Sequence, residues 1–217
     1  MGLIKFLTSY SRSFRIGYSA GKTLLWIWVK KDLAKLKGDI GIDLAGGPMA
    51  TKRFFSTNKY ICVDIDKKEL EKGLLEHPDA QIFNCRIQEF LRDNKQIKAD
   101  VLVCLQTMGT TGAFEHDETF EVVKLMYNFL EPGGIMIFNF ASLKNLDNHE
   151  KKFSDFLKDK FKLVNSKYYG FMHTTKEKKS PGFIRFFLAY LMDVFPPLRT
   201  MFGFKKKILY YYCENKQ

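Results

Sequence analysis

The chain is poor in cysteine, proline, tryptophan and histidine, with 4, 6, 2 and 4 of each in 217 residues. Cys62, Cys85, Cys104 and Cys213 form no C-x-x-C pair, and no histidine falls at ligand spacing beside them. This excludes a disulfide-stapled secreted scaffold and argues against a zinc site, so no metal is expected. Three of the cysteines lie in apolar, strand-like runs and the fourth in an aromatic run, as buried free thiols in a reducing compartment would. No uncharged run reaches the roughly 18 residues of a membrane span. The opening "MGLIKFLTSYSRSFRIGYSAGK" lacks the apolar core and cleavage site of a secretory signal. It carries Phe6 where a myristoylation motif needs Ser or Thr. There is no internal repeat and no low-complexity linker. A cytoplasmic globular protein is the expectation.

What is present is a core-forming composition, 46% hydrophobic and 27% charged. Aromatics reach 15%, with 21 Phe, which calls for a large apolar core or an exposed apolar surface. The net charge of +11 is uneven. Residues 1–37 hold 8 Lys/Arg against 1 acid, residues 38–140 hold 11 against 16, and residues 141–217 hold 16 against 7. A mildly acidic centre thus sits between two basic flanks, which favour polyanions or anionic headgroups unless they are simply solubility charge.

Hydrophobic periodicity predicts a helix over 23–36. It then predicts strands over "DIGIDLA", "KYICVDID", "AQIFNCRI", "ADVLVCLQT", "GIMIFNFAS", "FKLVNSKYYGF" and "KKKILYYYCEN". "KKELEKGLLEH", stopped by Pro78, "HDETFEVVKLMYNFL", closed by "EPGG", and "LDNHEKKFSDFLKDK" read as helices between them, and "IQEFLRDN" as a turn of helix or loop. Alternating strands and helices with near-continuous apolar strands mean an α/β fold with a mainly parallel sheet covered on both faces. Residues 171–204 interrupt the last two strands. They open on the basic "HTTKEKKSPG" and continue as "FIRFFLAYLMDVFPPLRTMFGF".

In such a sheet ligands sit beyond the carboxyl ends of the strands. Three ends carry suggestive residues. The first strand runs into Asp43-Leu44-Ala45-Gly46-Gly47-Pro48, where glycines admit close backbone approach. The second ends at Asp64, placed to accept ribose hydroxyls. The fourth ends in Leu105-Gln106-Thr107-Met108-Gly109. The glycine run lacks both G-x-G-x-x-G and G-K-[ST], so neither a dinucleotide pyrophosphate nor a P-loop phosphate is indicated.

The order "DLAGGP", "VDID", "NCRIQEF", "ADVLVCLQT", "FLEPGGIMIFNF" resembles the class I S-adenosylmethionine-dependent methyltransferases, over residues 38 to 142 and on to a closing "YYYCENK". The resemblance implies a Rossmann-like, seven-stranded, mostly parallel sheet with helices on both faces. Its last strand is antiparallel and a helical cap occupies about 171–204. Residues 1–37 would form a basic amphipathic segment and 38–217 the methyltransferase domain. It implies a cofactor pocket with Asp43, Ala45, Gly46 and Gly47 at the methionine part, Asp64 on the ribose and Ile65 against the adenine. Arg86 and Ile87 at the end of the third strand, the latter through a backbone contact to the adenine, and Leu105 and Gln106 at the end of the fourth would complete that cofactor pocket. S-adenosylmethionine is the implied cofactor and S-adenosylhomocysteine the product. The chain departs from the family where Ala45 and Met49 replace glycines, Ala45 a small loss and Met49 needing a right-handed backbone or strain. It departs again where Arg86 replaces an acid that often bonds adenine.

A hydroxyl acceptor benefits from a base. His116 is the candidate by its unperturbed pKa, with Glu115, Asp117 and His173 behind it. An acidic, capping helix start is the alternative reading of "EHDET". No N/D-P-P-[YF] motif and no Pro-Cys pair occurs, so a nucleic-acid substrate is not favoured. "FIRFFLAYLMDVF" has two charges in thirteen residues. It reads as a lid buried over the pocket or as a membrane-interface helix among basic neighbours, with Trp26 and Trp28 beside Lys30 and Lys31 fitting the second reading. The resulting expectation is O-methylation of a small or lipid-linked acceptor such as a saccharide, by an enzyme that touches the anionic inner membrane face. An RNA or protein methyltransferase, or a non-catalytic binding module on the same fold, are the alternatives.

Overall fold

The computed structural model describes residues 20–108, 116–140, 150–170, 182–195, 197–198 and 207–216. The strands are β1 (Lys37–Leu44), β2 (Ser56–Asp64), β3 (Gln81–Asn84), β4 (Ala99–Met108), β5 (Leu130–Phe140), β6 (Phe161–Gly170) and β7 (Lys207–Asn215). The helices are α1 (Ala20–Leu33), α2 (Lys67–Glu76), α3 (Ile87–Asp93), α4 (His116–Asn128), α5 (Glu150–Lys160) and α6 (Gly182–Val194). The seven strands form one sheet in the order β3-β2-β1-β4-β5-β7-β6. The pairs β1–β2, β2–β3, β1–β4 and β4–β5 are parallel, and β5–β7 is antiparallel. The α/β architecture with an antiparallel closing strand is the expected one.

Period-2 alternation divides the buried residues between the two faces. Ile61 and Val63 of β2 join Ile42 and Leu44 of β1, and α3, α4 and α5 cover them with Phe90, Val122 and Phe153. Tyr60 and Cys62 point the other way and pack with Leu70 of α2. Much of the aromatic excess is here. Phe138 and Tyr211 stack at 4.9 Å, and Phe153 meets Phe140 edge-on at 5.2 Å. Cys62, Cys104 and Cys213 are buried free thiols, and Cys85 is half-buried.

Two elements differ from their sequence reading. The third strand stops at Asn84 instead of running to Ile87, because the Arg86 N–H donates to the Glu89 carboxylate at 3.1 Å and opens α3. Helix α4 ends at Asn128, and "EPGG" is the irregular start of β5 rather than a closing turn. Gly133 has φ 75, and a Cβ on Gly134 would lie 2.8 Å from the Ala99 carbonyl oxygen, so the backbone there requires glycine.

The chain divides into two compact units. One comprises Asp32–Lys167 and Leu209–Gln217 and contains the strands paired above. The other comprises Met1–Lys31 and Tyr168–Ile208, and among the described residues it brings α1 and α6 together. Within it the Trp28 indole N–H donates to Asp193 of α6 at 2.7 Å, and the Lys31 ammonium pairs with the same carboxylate.

Candidate functional site

The strand order reverses at β1, which has β2 on one side and β4 on the other. The carboxyl ends of β1 and β4 therefore border a topological switch point, where a parallel sheet opens a crevice for ligands. β1 is exposed at its start and buried over Gly41–Leu44, so it delivers Asp43 into the interior just before the crevice.

Asp43 is 2% exposed and does not face the crevice as a free carboxylate. Its Oδ2 accepts from the Thr51 hydroxyl and from the Tyr60 hydroxyl, the latter at 2.8 Å. Burial pushes its pKa up to about 6, helped by the nearby Asp64 charge and opposed by the two hydrogen bonds. Tyr60 is held well above its ordinary value, first by burial and then by Asp43. The acid thus anchors the turn after β1 to Thr51 and to β2.

That turn is bent by residues unusual for it. Ala45 and Met49 both have φ 57, and Gly47 has φ 49. Ala45 and Met49 adopt the left-handed backbone that favours glycine, at roughly 1–2 kcal/mol each for an L side chain. Ala45 is thus a larger loss than its small size suggested. Met49 takes the strained alternative, stabilised by packing: it is fully buried with Tyr60, Cys62 and Leu70. A Cβ on Gly73 of α2 would lie 2.8 Å from the Met49 Cγ. Gly46 has no room for a side chain, since its Cβ would lie 2.7 Å from Cys62 Sγ and 2.8 Å from the Asp43 carboxylate.

Asp64 lies at the mouth. Its Oδ2 accepts the Gly47 N–H at 2.8 Å and its Oδ1 the Asp66 N–H at 2.8 Å. Each oxygen keeps a second lone pair. Ile65 beside it is 67% exposed, an apolar surface open to a ligand. The Asn84 amide donates to the Asp64 and Ile65 carbonyls, both at 3.0 Å, so the end of β3 clamps the end of β2. Arg86 is exposed at the entry to α3, while Ile87 is buried as the first residue of that helix. The Ile87 N–H is one of the first-turn donors that have no acceptor within the helix.

On the other side of the crevice β4 bulges. Cys104 pairs with Phe138 and Met108 with Phe140, so Leu105, Gln106 and Thr107 all oppose Asn139. Leu105 is buried, Gln106 has φ 61, and its N–H donates to the Asn139 Oδ1 at 2.8 Å. The Gln106 Nε2 and the Asn139 Nδ2 are buried with no hydrogen-bond partner among the described residues. Orphaned buried donors are costly, on the order of 1–3 kcal/mol each, unless a ligand accepts from them.

His116 is the first residue of α4. Nothing is described of its side chain or that of Asp117, and Glu115 and His173 lie outside the described residues. Among the described residues no group of three or more His, Cys, Asp or Glu is placed to hold a metal.

No protein-family model matches the sequence, and no curated protein does. Solved structures do. The N-methyltransferase NodS of Bradyrhizobium japonicum WM9, in complex with S-adenosylhomocysteine, matches with TM-score 0.59 at 9% identity, over 91% of this chain and 87% of that one. This is the class I methyltransferase fold. The plantazolicin methyltransferase BpumL, also with S-adenosylhomocysteine, shares it with TM-score 0.53 at 9% identity, over 89% of this chain and 82% of that one. An rRNA methylase of Streptococcus thermophilus shares it with TM-score 0.53 at 12% identity, over 88% and 95%. In this class I fold the cofactor residues predicted from sequence fall into three groups. Asp43, Ala45, Gly46, Gly47, Asp64 and Ile65 converge on the β1–β2 side of the crevice, and Leu105 and Gln106 border its β4–β5 side. Arg86 and Ile87 lie beyond β3 at the entry to α3. Sequence reasoning missed Thr51, Tyr60, Asn84 and Asn139. Only Asn139 left a signal, as the single polar residue inside the apolar run "IMIFNF".

Proposed function

We propose that the protein is an S-adenosylmethionine-dependent methyltransferase that O-methylates a small or lipid-linked acceptor. The observation that carries this is the latch between Gly47 and Asp64 at the switch point. A glycine turn with no room for a side chain at Gly46, an acid with spare lone pairs and an exposed apolar Ile65 meet there in a few residues. These groups suit a nucleoside without a phosphate: Asp64 accepts the ribose hydroxyls, Ile65 lies against the base, and the Gly46–Gly47 backbone approaches the amino-acid part. When bound, the cofactor supplies a methyl group already activated by its sulfonium. Two solved proteins of the same fold are complexes with S-adenosylhomocysteine.

The chain's own task is then to hold and align the acceptor. The Gln106 and Asn139 amides supply two buried donors at the ends of β4 and β5. A hydroxyl oxygen can accept from one of them and keep its second lone pair for attack, whereas a neutral amine has a single lone pair and cannot do both. This favours an oxygen acceptor, with His116 as the base. The reading includes a cytoplasmic location and contact between the basic flanks and an anionic membrane face, supported by 16 Lys/Arg against 7 acids in residues 141–217.

Calorimetry with S-adenosylmethionine and S-adenosylhomocysteine tests the pocket. Saturable one-to-one binding is expected. A folded wild-type protein that binds neither would overturn the enzyme reading and leave a binding module on the same fold.

A further inference from the structure

Helix α6 has two opposite faces of different fate. At about 100° per residue, Phe186, Ala189 and Asp193 share one side, and Ile184, Phe187, Leu188, Leu191 and Phe195 share the other. The first side is turned inward, with Phe186 2% and Ala189 0% exposed. Asp193, the helix's only acid, is held there by the Trp28 indole and the Lys31 ammonium. The second side stands out: Ile184 is 38%, Phe187 47%, Leu188 45% and Phe195 56% exposed, with Val194 and Tyr190 toward its margin. The Phe195 N–H still bonds the Leu191 carbonyl at 2.8 Å, so the stripe continues one residue past the helix. Large apolar side chains at i, i+3, i+4 and i+11 on one exposed face are not scattered surface residues.

We infer that this outward face of α6 is a membrane-interface surface, seating the helix in the plane of an anionic leaflet. Thirteen residues rise only about 20 Å, against roughly 30 Å of hydrocarbon, so the helix lies in the leaflet rather than crossing it. No helix among the described residues is long and apolar enough to span. The charge pattern selects an anionic surface. Pairing with α1 turns the one carboxylate of α6 away from the apolar stripe. In sequence the helix is bracketed by Lys176, Lys178 and Lys179 before it and by Lys205, Lys206 and Lys207 after it. The inference rests on the membrane contact proposed above and adds to its basic flanks a specific apolar insertion. It is independent of methyl transfer, and it would bring the chain to lipid-linked acceptors.

The test is co-flotation of the full chain with phosphatidylcholine vesicles, with and without phosphatidylserine, at low and high salt. Alongside wild type it uses the double variant Phe187→Glu/Leu188→Glu and the conservative Phe187→Leu/Leu188→Ile, with thermal melts to show that each is folded. Wild type should float with the phosphatidylserine vesicles, and the glutamate variant should bind them at least about tenfold more weakly, with the conservative variant unaffected. Equal binding by wild type and the glutamate variant, released by salt in both, would overturn the α6 inference and leave the basic flanks as the contact. No flotation of wild type would overturn both. Self-association of wild type without vesicles, abolished in the glutamate variant, would show that a second copy covers this face and would also overturn the inference.

Discussion

The Gly47 N–H and the Asp64 carboxylate meet at 2.8 Å, so the glycine turn after β1 is latched to the end of β2 before any ligand arrives. A charge-assisted bond of this kind contributes about 1.5–3 kcal/mol. Asp64→Asn keeps an acceptor for Gly47 and loses the charge; Asp64→Ala loses both. Affinity for S-adenosylhomocysteine, measured by calorimetry, should fall roughly tenfold or more in the first and further in the second. An alanine variant that binds like wild type would remove Asp64 from the site.

The two left-handed non-glycine residues make opposite predictions. Ala45→Gly removes the left-handed penalty and takes away only a methyl group, so the melting temperature should hold or rise, a gain of up to about 1 kcal/mol. Met49→Gly relieves the same penalty but empties the space filled over Gly73, so the variant should be less stable by about 1–3 kcal/mol. A stabilised Met49→Gly protein would mean that packing there contributes little.

Asp43 ties stability to acidity. Its pKa is raised from 3.8 to about 6 by burial, so the folded state holds a proton that the unfolded chain has released. The contribution is complete below about pH 4, is lost as the pH rises through about 6, and amounts to no more than about 3 kcal/mol. Asp43→Asn cannot titrate. The stability of wild type relative to this variant should therefore fall between about pH 4 and 6 and be flat above, as urea unfolding at each pH would show. A constant difference across that window would mean that Asp43 stays ionised.

Asn139 replaces a ladder bond that the β4 bulge has lost. Asn139→Ala leaves the Gln106 N–H without its acceptor and should lower stability by about 1–3 kcal/mol, read from chemical denaturation. Its effect on S-adenosylhomocysteine affinity should stay within a few-fold, because the latch at Asp64 is untouched. A large loss of cofactor affinity would instead move the orphaned amides from the acceptor side to the cofactor side.

Much of this was legible in one dimension. Apolar runs ending in acids or glycines marked β1, β2 and β4 and, with them, the switch point, because strands buried on both faces have few ways to be written. The position of Asp64 at the end of β2 is legible for the same reason: a place at a strand end is local information. The length of β3 and the start of β5 were misread where a capping bond and a glycine-dependent turn outweighed hydrophobic pattern.

The amino-acid order settled which elements exist and where the crevice would open, since periodicity and turn chemistry act over a few neighbouring residues. Tertiary structure decided the rest. Asp43 turns inward because Thr51 and Tyr60 await it, and Met49 can sit left-handed because Gly73 leaves it room. Asn139 matters because the β4 bulge places Gln106 across from it, and α6 keeps one apolar face outward because Trp28 and Lys31 hold Asp193 on the other. Each depends on partners brought together from distant parts of the chain, and no local pattern names them.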